Sequence, residues 1–174
     1  PCADLIKSIN ESIKISLSAK ALTLSISIET LLMDEFLQLY KTDEELEKNL
    51  ACVSNLILES NFLESNFRNR MLGALNSMKN PRAKDILFEL RDNNLIEKEL
   101  VKIYSDLRNK STHGASNSGA DIQKFFMETN ALLVLFYKLI FLAVKYNGKY
   151  TDYSTKGYPE KEFTGQLPNN DLID

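Results

Sequence analysis

Apolar residues recur at three- and four-residue steps along most of this chain, the spacing that gathers them on one face of an α-helix. The most ambiguous stretch runs from Lys20 to Leu39. There Leu22, Leu24, Ile26 and Ile28 alternate with Thr23, Ser25 and Ser27, which read locally is a strand. The longer window favours a helix: Leu17, Ala21, Leu24, Ile28, Leu32, Phe36 and Leu39 keep helical steps, with Thr23, Ser27, Thr30 and Asp34 as a polar stripe. Serine and β-branched residues lower helix propensity, so tertiary burial has to hold this helix together.

Further helices follow. Thr42 and Glu45 have capping-box spacing and open a helix expected to turn Leu46, Leu50, Val53 and Ile57 inward. Phe67, Met71, Leu75 and Met78 mark the next, which ends before Pro81 because proline cannot continue it. Ile86, Leu87 and Leu90 mark a short helix stopping in Arg91–Asn94. Ile96, Leu100, Ile103, Tyr104 and Leu107 give the clearest amphipathic pattern, closing at His113-Gly114 with glycine in the usual C′ place.

After a small-residue loop over 115–120, Asp121 is the expected N-cap of a long helix from Ile122 to about Tyr146. Beyond Ala131 it is apolar nearly all round, so it belongs at the centre of the fold or against a second subunit. From Asn147 the pattern fails among glycines, prolines and scattered tyrosines, which reads as an irregular arm or a linker. The pattern predicts an all-α, up-and-down bundle of four to five main helices over residues 1–147, with an irregular C-terminal arm over 148–174.

Composition narrows the chemistry. With 174 residues, 44% hydrophobic and 26% charged, the chain suits one buried core. A net charge of −3 gives no global field for gathering polyanions, so nucleic-acid contact would need a local basic patch. Two cysteines and a single histidine have no metal-ligand spacing, and no metal or cofactor is expected. Cys2 and Cys52 suit a reducing, cytoplasmic setting. Cys52, between Leu50 and Val53, reads as a small core residue. The start at Pro1 suggests a piece of a longer protein. Ala131–Val144 is shorter than the roughly 20 apolar residues of a spanning helix and contains Lys138, so no membrane association is expected.

One segment carries chemistry: Tyr104-Ser105-Asp106-Leu107-Arg108-Asn109-Lys110-Ser111-Thr112-His113-Gly114. An Arg, a polar residue beside it, and a His a few positions later at a helix end resemble the signature of HEPN domains. The Tyr four residues before the Arg and the Gly after the His are most similar to the Apea-like branch. The upstream helix through Ile28-Glu29-Thr30-Leu31-Leu32 and the long apolar helix downstream fit the same order. This resemblance implies a HEPN-like bundle that forms a homodimer, two Arg–His motifs facing one cleft. It implies a metal-independent endoribonuclease acting on RNA in a bacterial defence or toxin-like system, with a neighbouring domain or antitoxin-like partner. His113 would act as acid and base, Arg108 would hold the phosphate, and Asn109 would orient an oxygen. The alternative within the family is a non-catalytic module that dimerises and relays a signal.

Other readings stand beside these. Arg, Lys and His in the last turn before Gly are what any helix C-terminus favours, so the motif also fits a plain scaffold. At about 100° per residue, Arg108 and His113 diverge by roughly 140° on a regular helix, whereas Asn109 and His113 share a face. The pair reaches one phosphate only if the helix ends near Thr112 or a partner subunit supplies one member. Tyr104, Glu29 and Lys110 are accessory candidates, although Glu29 in a mostly apolar helix reads first as a boundary charge. Lys98, Lys102 and Lys110 could touch phosphates, but Glu97, Glu99 and Asp106 interleave with them as on any solvated surface. Tyr146, Tyr150, Tyr153 and Tyr158 could stack on bases or anchor the arm.

Overall fold

The fold was described from a computed structural model. It describes residues 2–14, 16–41, 43–112 and 119–167, with the side chains of 2, 13, 109–112 and 119–121 left aside. Within these residues the chain is mostly helical: α1 (Cys2–Ile13), α2 (Leu17–Glu35), a 3₁₀ turn (Leu37–Leu39), α3 (Glu44–Glu59), α4 (Ser65–Ser77), α5 (Ala83–Asp92), α6 (Lys98–Thr112) and α7 (Gly119–Ala143). A two-stranded antiparallel hairpin follows, β1 (Gly148–Thr151) and β2 (Glu160–Phe163).

The segment that alternated like a strand is helical, and burial explains why. Ala21, Leu24, Ile28, Leu31 and Leu32 are buried together, while Leu22 and Ile26 face outward. Ser16 starts the helix, its hydroxyl accepting from the Ala19 amide at 3.0 Å. The expected polar stripe is only partly a surface, for Ser27 is buried and so is Ser25, whose hydroxyl donates to the Ala21 carbonyl at 2.9 Å. Such a bond back to the preceding turn is how a helix absorbs a buried serine.

α2 and α7 form the centre, with α1, α5 and α6 packed against α2, and α6 also against α7. α7 starts at Gly119, three residues before the expected start at Ile122, and ends three residues before Tyr146. Its stretch Ile122–Ala143 is long and apolar enough to cross a membrane, yet just over half of its most apolar window is buried by the rest of the fold. The apolar excess over 131–143 is therefore covered within one chain, which removes it as a reason for a second subunit.

α5 and α7 end alike. After α5, the Leu95 amide donates to the Leu90 carbonyl and the Asn94 amide to Arg91, with Asn94 at φ 57°. After α7, the Tyr146 amide donates to Phe141 and the Lys145 amide to Leu142, with Lys145 at φ 54°. Both are Schellman endings without the usual glycine, and each reverses the chain sharply. The second is reinforced by Tyr146 packing on Phe141, ring centres 4.8 Å apart.

That reversal starts the hairpin where an irregular arm was expected. Gly148 is required at its first position, since a Cβ there would lie 2.6 Å from the Tyr146 hydroxyl. Phe163 is buried against Phe141, centres 5.4 Å apart, and belongs to the same core as α2 and α7. Tyr150 also meets Phe141, so Tyr146 and Tyr150 anchor the hairpin. The loop is tied by the buried Asp152, which accepts from the Ser154 amide and hydroxyl, from Thr155 Oγ1 at 2.8 Å, and from Lys161 Nζ at 2.6 Å. Burial alone would raise its pKa; the bonds from Lys161, Ser154 and Thr155 outweigh that and hold the carboxyl well below the usual range. Glycine- and threonine-rich stretches hid a short hairpin that lacks a clean alternation of apolar and polar residues.

Other expectations change around α3. Its N-cap is Asp43, whose carboxylate accepts from Glu45 and Leu46 amides at 3.0 Å; Thr42 lies outside the described residues. Leu50 and Ile57 are buried as expected, but Cys52 and Val53 are exposed. The cause is that α3 and α4 pack chiefly on each other and leave Leu56, Leu58, Phe62 and Phe67 open. α1 was not foreseen at all.

Candidate functional site

The face of α6 that enters the core carries Leu100, Val101, Tyr104 and Leu107. Arg108 follows Leu107 at the edge of that face, and Tyr104 precedes it by one turn, so the two side chains are neighbours. α2 lies alongside and presents Glu29 from the boundary next to buried Ile28. Nε of Arg108 donates to Oε1 of Glu29 at 2.5 Å, with the two side chains 48% and 32% exposed. The pair is thus half in water, and its guanidinium is held rather than hidden. The Glu29 hydrogen bond raises the Arg108 pKa further, so the charge is permanent.

Tyr104 lies beneath the pair. Its ring is fully buried, and its hydroxyl is close enough to Glu29 and Arg108 to feel both charges, yet no hydrogen bond of ordinary geometry closes on it. Burial first, then the Glu29 charge, pushes this hydroxyl well above the usual phenol range. It therefore stays protonated and can donate. Arg82, Ala83 and Lys84 at the start of α5, with Ser105, complete a pocket of about 250 Å³ around these groups. Arg82 is already tied to Asp85 by hydrogen bonds of 3.0 and 2.9 Å.

The structure joins three sequence candidates, Glu29, Tyr104 and Arg108. Glu29 is not merely a boundary charge, since it positions the guanidinium. Asn109 and Lys110 lie on α6 next to Arg108, their side chains outside the described set. His113 also lies outside the described residues; α6 is described through Thr112. Lys98 and Lys102 are exposed and do not line this pocket. Glu97 does not merely interleave with them, for it pairs with Lys138 of α7.

Two larger clefts lie elsewhere. One of about 550 Å³ runs between the α5–α6 turn, α7 and the end of β2. On its wall the buried Lys138 ammonium meets Glu97 and sits 5.5 Å from the Tyr150 ring centre. A second, of about 600 Å³, lies between Tyr40, Asp43 and the start of α5. The charged groups that stand out in each are already matched, Lys138 by Glu97 and Arg82 by Asp85, whereas the smaller pocket holds an unmatched donor. Sequence reading missed Lys84 and Ala83, because nothing in a surface lysine four residues before the aromatic it packs over marks it as lining a pocket with residues of α2 and α6. Among the described residues no group of three His, Cys, Asp or Glu side chains could hold a metal ion. Comparison with family models, with curated proteins and with solved structures finds no match for this chain.

Proposed function

We propose that the Arg108 region is the active site of a metal-independent endoribonuclease, the activity that the HEPN resemblance implies. The observation that carries this reading is the Glu29–Arg108 pair above the buried Tyr104 hydroxyl. It presents a fixed, permanently charged fork on a rigid helix, five residues before the only histidine of the chain. A planar guanidinium suits two phosphate oxygens at once and offsets charge that grows during attack.

In the proposed reaction a base takes the proton of the ribose 2′-OH, and that oxygen attacks the adjacent phosphorus. The bond from phosphorus to the 5′ oxygen breaks, the leaving oxygen gains a proton, and a 2′,3′-cyclic phosphate remains. His113 serves as acid and base because imidazole changes charge near neutral pH. Arg108 holds the phosphate, Asn109 orients an oxygen, and Lys110 adds charge. The roughly 140° divergence of Arg108 and His113 on one helix makes a two-fold dimer the natural assembly, each subunit supplying part of the site. Leu22, Ile26 and Met33 are exposed on the side of α2 that carries Glu29, and they offer apolar surface for that contact.

The second reading, a non-catalytic dimerising module, is favoured by Glu29 itself, which already neutralises Arg108, and by the open apolar residues of α3 and α4. Digestion of RNA in excess EDTA separates the two. The nuclease reading requires fragments with 2′,3′-cyclic phosphate ends; intact RNA supports the module.

A further inference from the structure

We infer that the pocket between the start of α5 and the Tyr104–Arg108 turn of α6 binds a phosphate group through Tyr104, Lys84 and Arg108. The inference deepens the nuclease reading and rests on it only for the source of the phosphate, the RNA backbone group that Arg108 holds.

The Tyr104 hydroxyl carries the argument. Buried polar groups almost always have partners, and leaving one bare is costly, so an unpartnered donor on a pocket wall marks a place where an acceptor arrives. The second observation is independent. α5, ten residues long, begins on the same pocket with Arg82 as its N-cap residue. A guanidinium has no acceptor atom, so it cannot cap the first-turn amides as Ser or Asp would. The Asp85 carboxylate turns back instead to the Arg82 amide, at 2.9 Å. The amides of Ala83 and Lys84 stand outside the helical ladder, at the end where a helix attracts anions.

Charge and size agree. Arg82, Lys84 and Arg108 surround the pocket against the single carboxylate of Glu29. Arg82 is engaged by Asp85 and Arg108 by Glu29, whose bond holds the guanidinium at the pocket wall, and Lys84 adds a third cation there. At about 250 Å³ the space lies below the range of roughly 300–1,000 Å³ usual for drug-sized ligands, and it suits one compact oxyanion. A tetrahedral phosphate can accept from a hydroxyl, a guanidinium, an ammonium and helix amides at once, which a planar carboxylate does less well.

Calorimetric titration of the whole chain with inorganic phosphate at low ionic strength tests this. Saturable binding is expected, about tenfold weaker in Tyr104→Phe, as for the loss of a hydrogen bond to a charged group. Lys84→Ala should weaken it too, with a shallower salt dependence. In phosphate-free buffer Tyr104→Phe should melt no lower than the wild type, since the hydroxyl it removes has no partner. Equal phosphate affinity in wild type and Tyr104→Phe, or a lowered melting temperature of that variant without phosphate, overturns the inference. An oligodeoxynucleotide, which lacks the attacking 2′-OH, supplies the second arm. If it displaces phosphate, the source is a nucleic-acid backbone; if phosphate binds without such competition, the source is a small phosphate compound. Phosphate binding by a protein that leaves RNA intact would remove the nuclease reading and leave this pocket standing.

Discussion

Arg108 on α6 donates a 2.5 Å hydrogen bond to Glu29 on α2, a contact between residues 79 apart in the chain. Because both side chains remain partly in water, the pair is worth no more than about 1 kcal/mol to stability. Its value lies in fixing one orientation of the guanidinium. Glu29→Gln should therefore change urea unfolding by less than about 1 kcal/mol. Its RNA cleavage rate should fall by roughly tenfold or more, since small misplacements of catalytic groups are expensive. A variant that loses stability but keeps its rate would make the pair only a clamp between helices.

Lys138 and Glu97 present an asymmetric case. The Lys138 side chain is 7% exposed and Glu97 is 52% exposed. Replacing the buried member, Lys138→Met, should cost less than about 1 kcal/mol, because the methylene stem is kept and Glu97 returns to water. Glu97→Ala leaves a buried ammonium with the Tyr150 and Phe163 rings beside it and should cost about 1–3 kcal/mol. Equal costs in chemical denaturation, or the reverse order, would contradict this account of the α6–α7 contact.

The hairpin loop has a testable pH dependence. Asp152 has its folded-state pKa depressed, so its contribution is complete above the unfolded carboxylate value of about 3.9 and is lost only as pH falls through the folded value. Thermal unfolding should thus show Asp152→Asn less stable than wild type by about 1.5–3 kcal/mol from pH 7 to pH 5. The gap should begin to close below about pH 4. A gap that closes already near neutral pH would mean that Asp152 is not the group holding the loop.

The dimer calls for mixing. If the active site combines Arg108 of one subunit with His113 of the other, inactive Arg108→Ala and inactive His113→Ala proteins should regain cleavage when combined. Up to about one intact site in each heterodimer is the most that two-fold symmetry allows. In an active dimer the two His113 side chains should lie within roughly 15 Å, a span of about four stacked nucleotides at ~3.4 Å each. A monomer by light scattering that cleaves at full rate would exclude a shared site.

Much of the architecture was legible because helical periodicity survives wherever one face is buried. The core positions Leu24, Ile28, Leu32, Leu100, Tyr104 and Leu107 all followed from spacing. Where a helix meets little else, spacing misled: Val53 sits at a core-like step, but α3 has no neighbour on that side to cover it. α1 has a regular amphipathic pattern that was overlooked beside the more conspicuous α2. The hairpin was illegible because Asp152 and Phe163 order it from either end, and neither contact leaves a period in the sequence. At the site, Arg108 and Tyr104 could be singled out because they stand in the segment that resembles the HEPN signature. Glu29 could be suspected only as a charge out of place in an apolar helix, and Lys84 left no mark. Contacts between distant helices are written in no local pattern.

The central claim is that Arg108 performs chemistry on phosphodiesters. It is tested most directly by timing RNA cleavage in EDTA for the wild type, Arg108→Ala and His113→Ala. The account predicts cleavage in the wild type, with cyclic phosphate ends. Each variant should lose about a hundredfold or more, the usual scale for removing a general acid–base or a charge-stabilising group. Cleavage that persists undiminished in Arg108→Ala would contradict it.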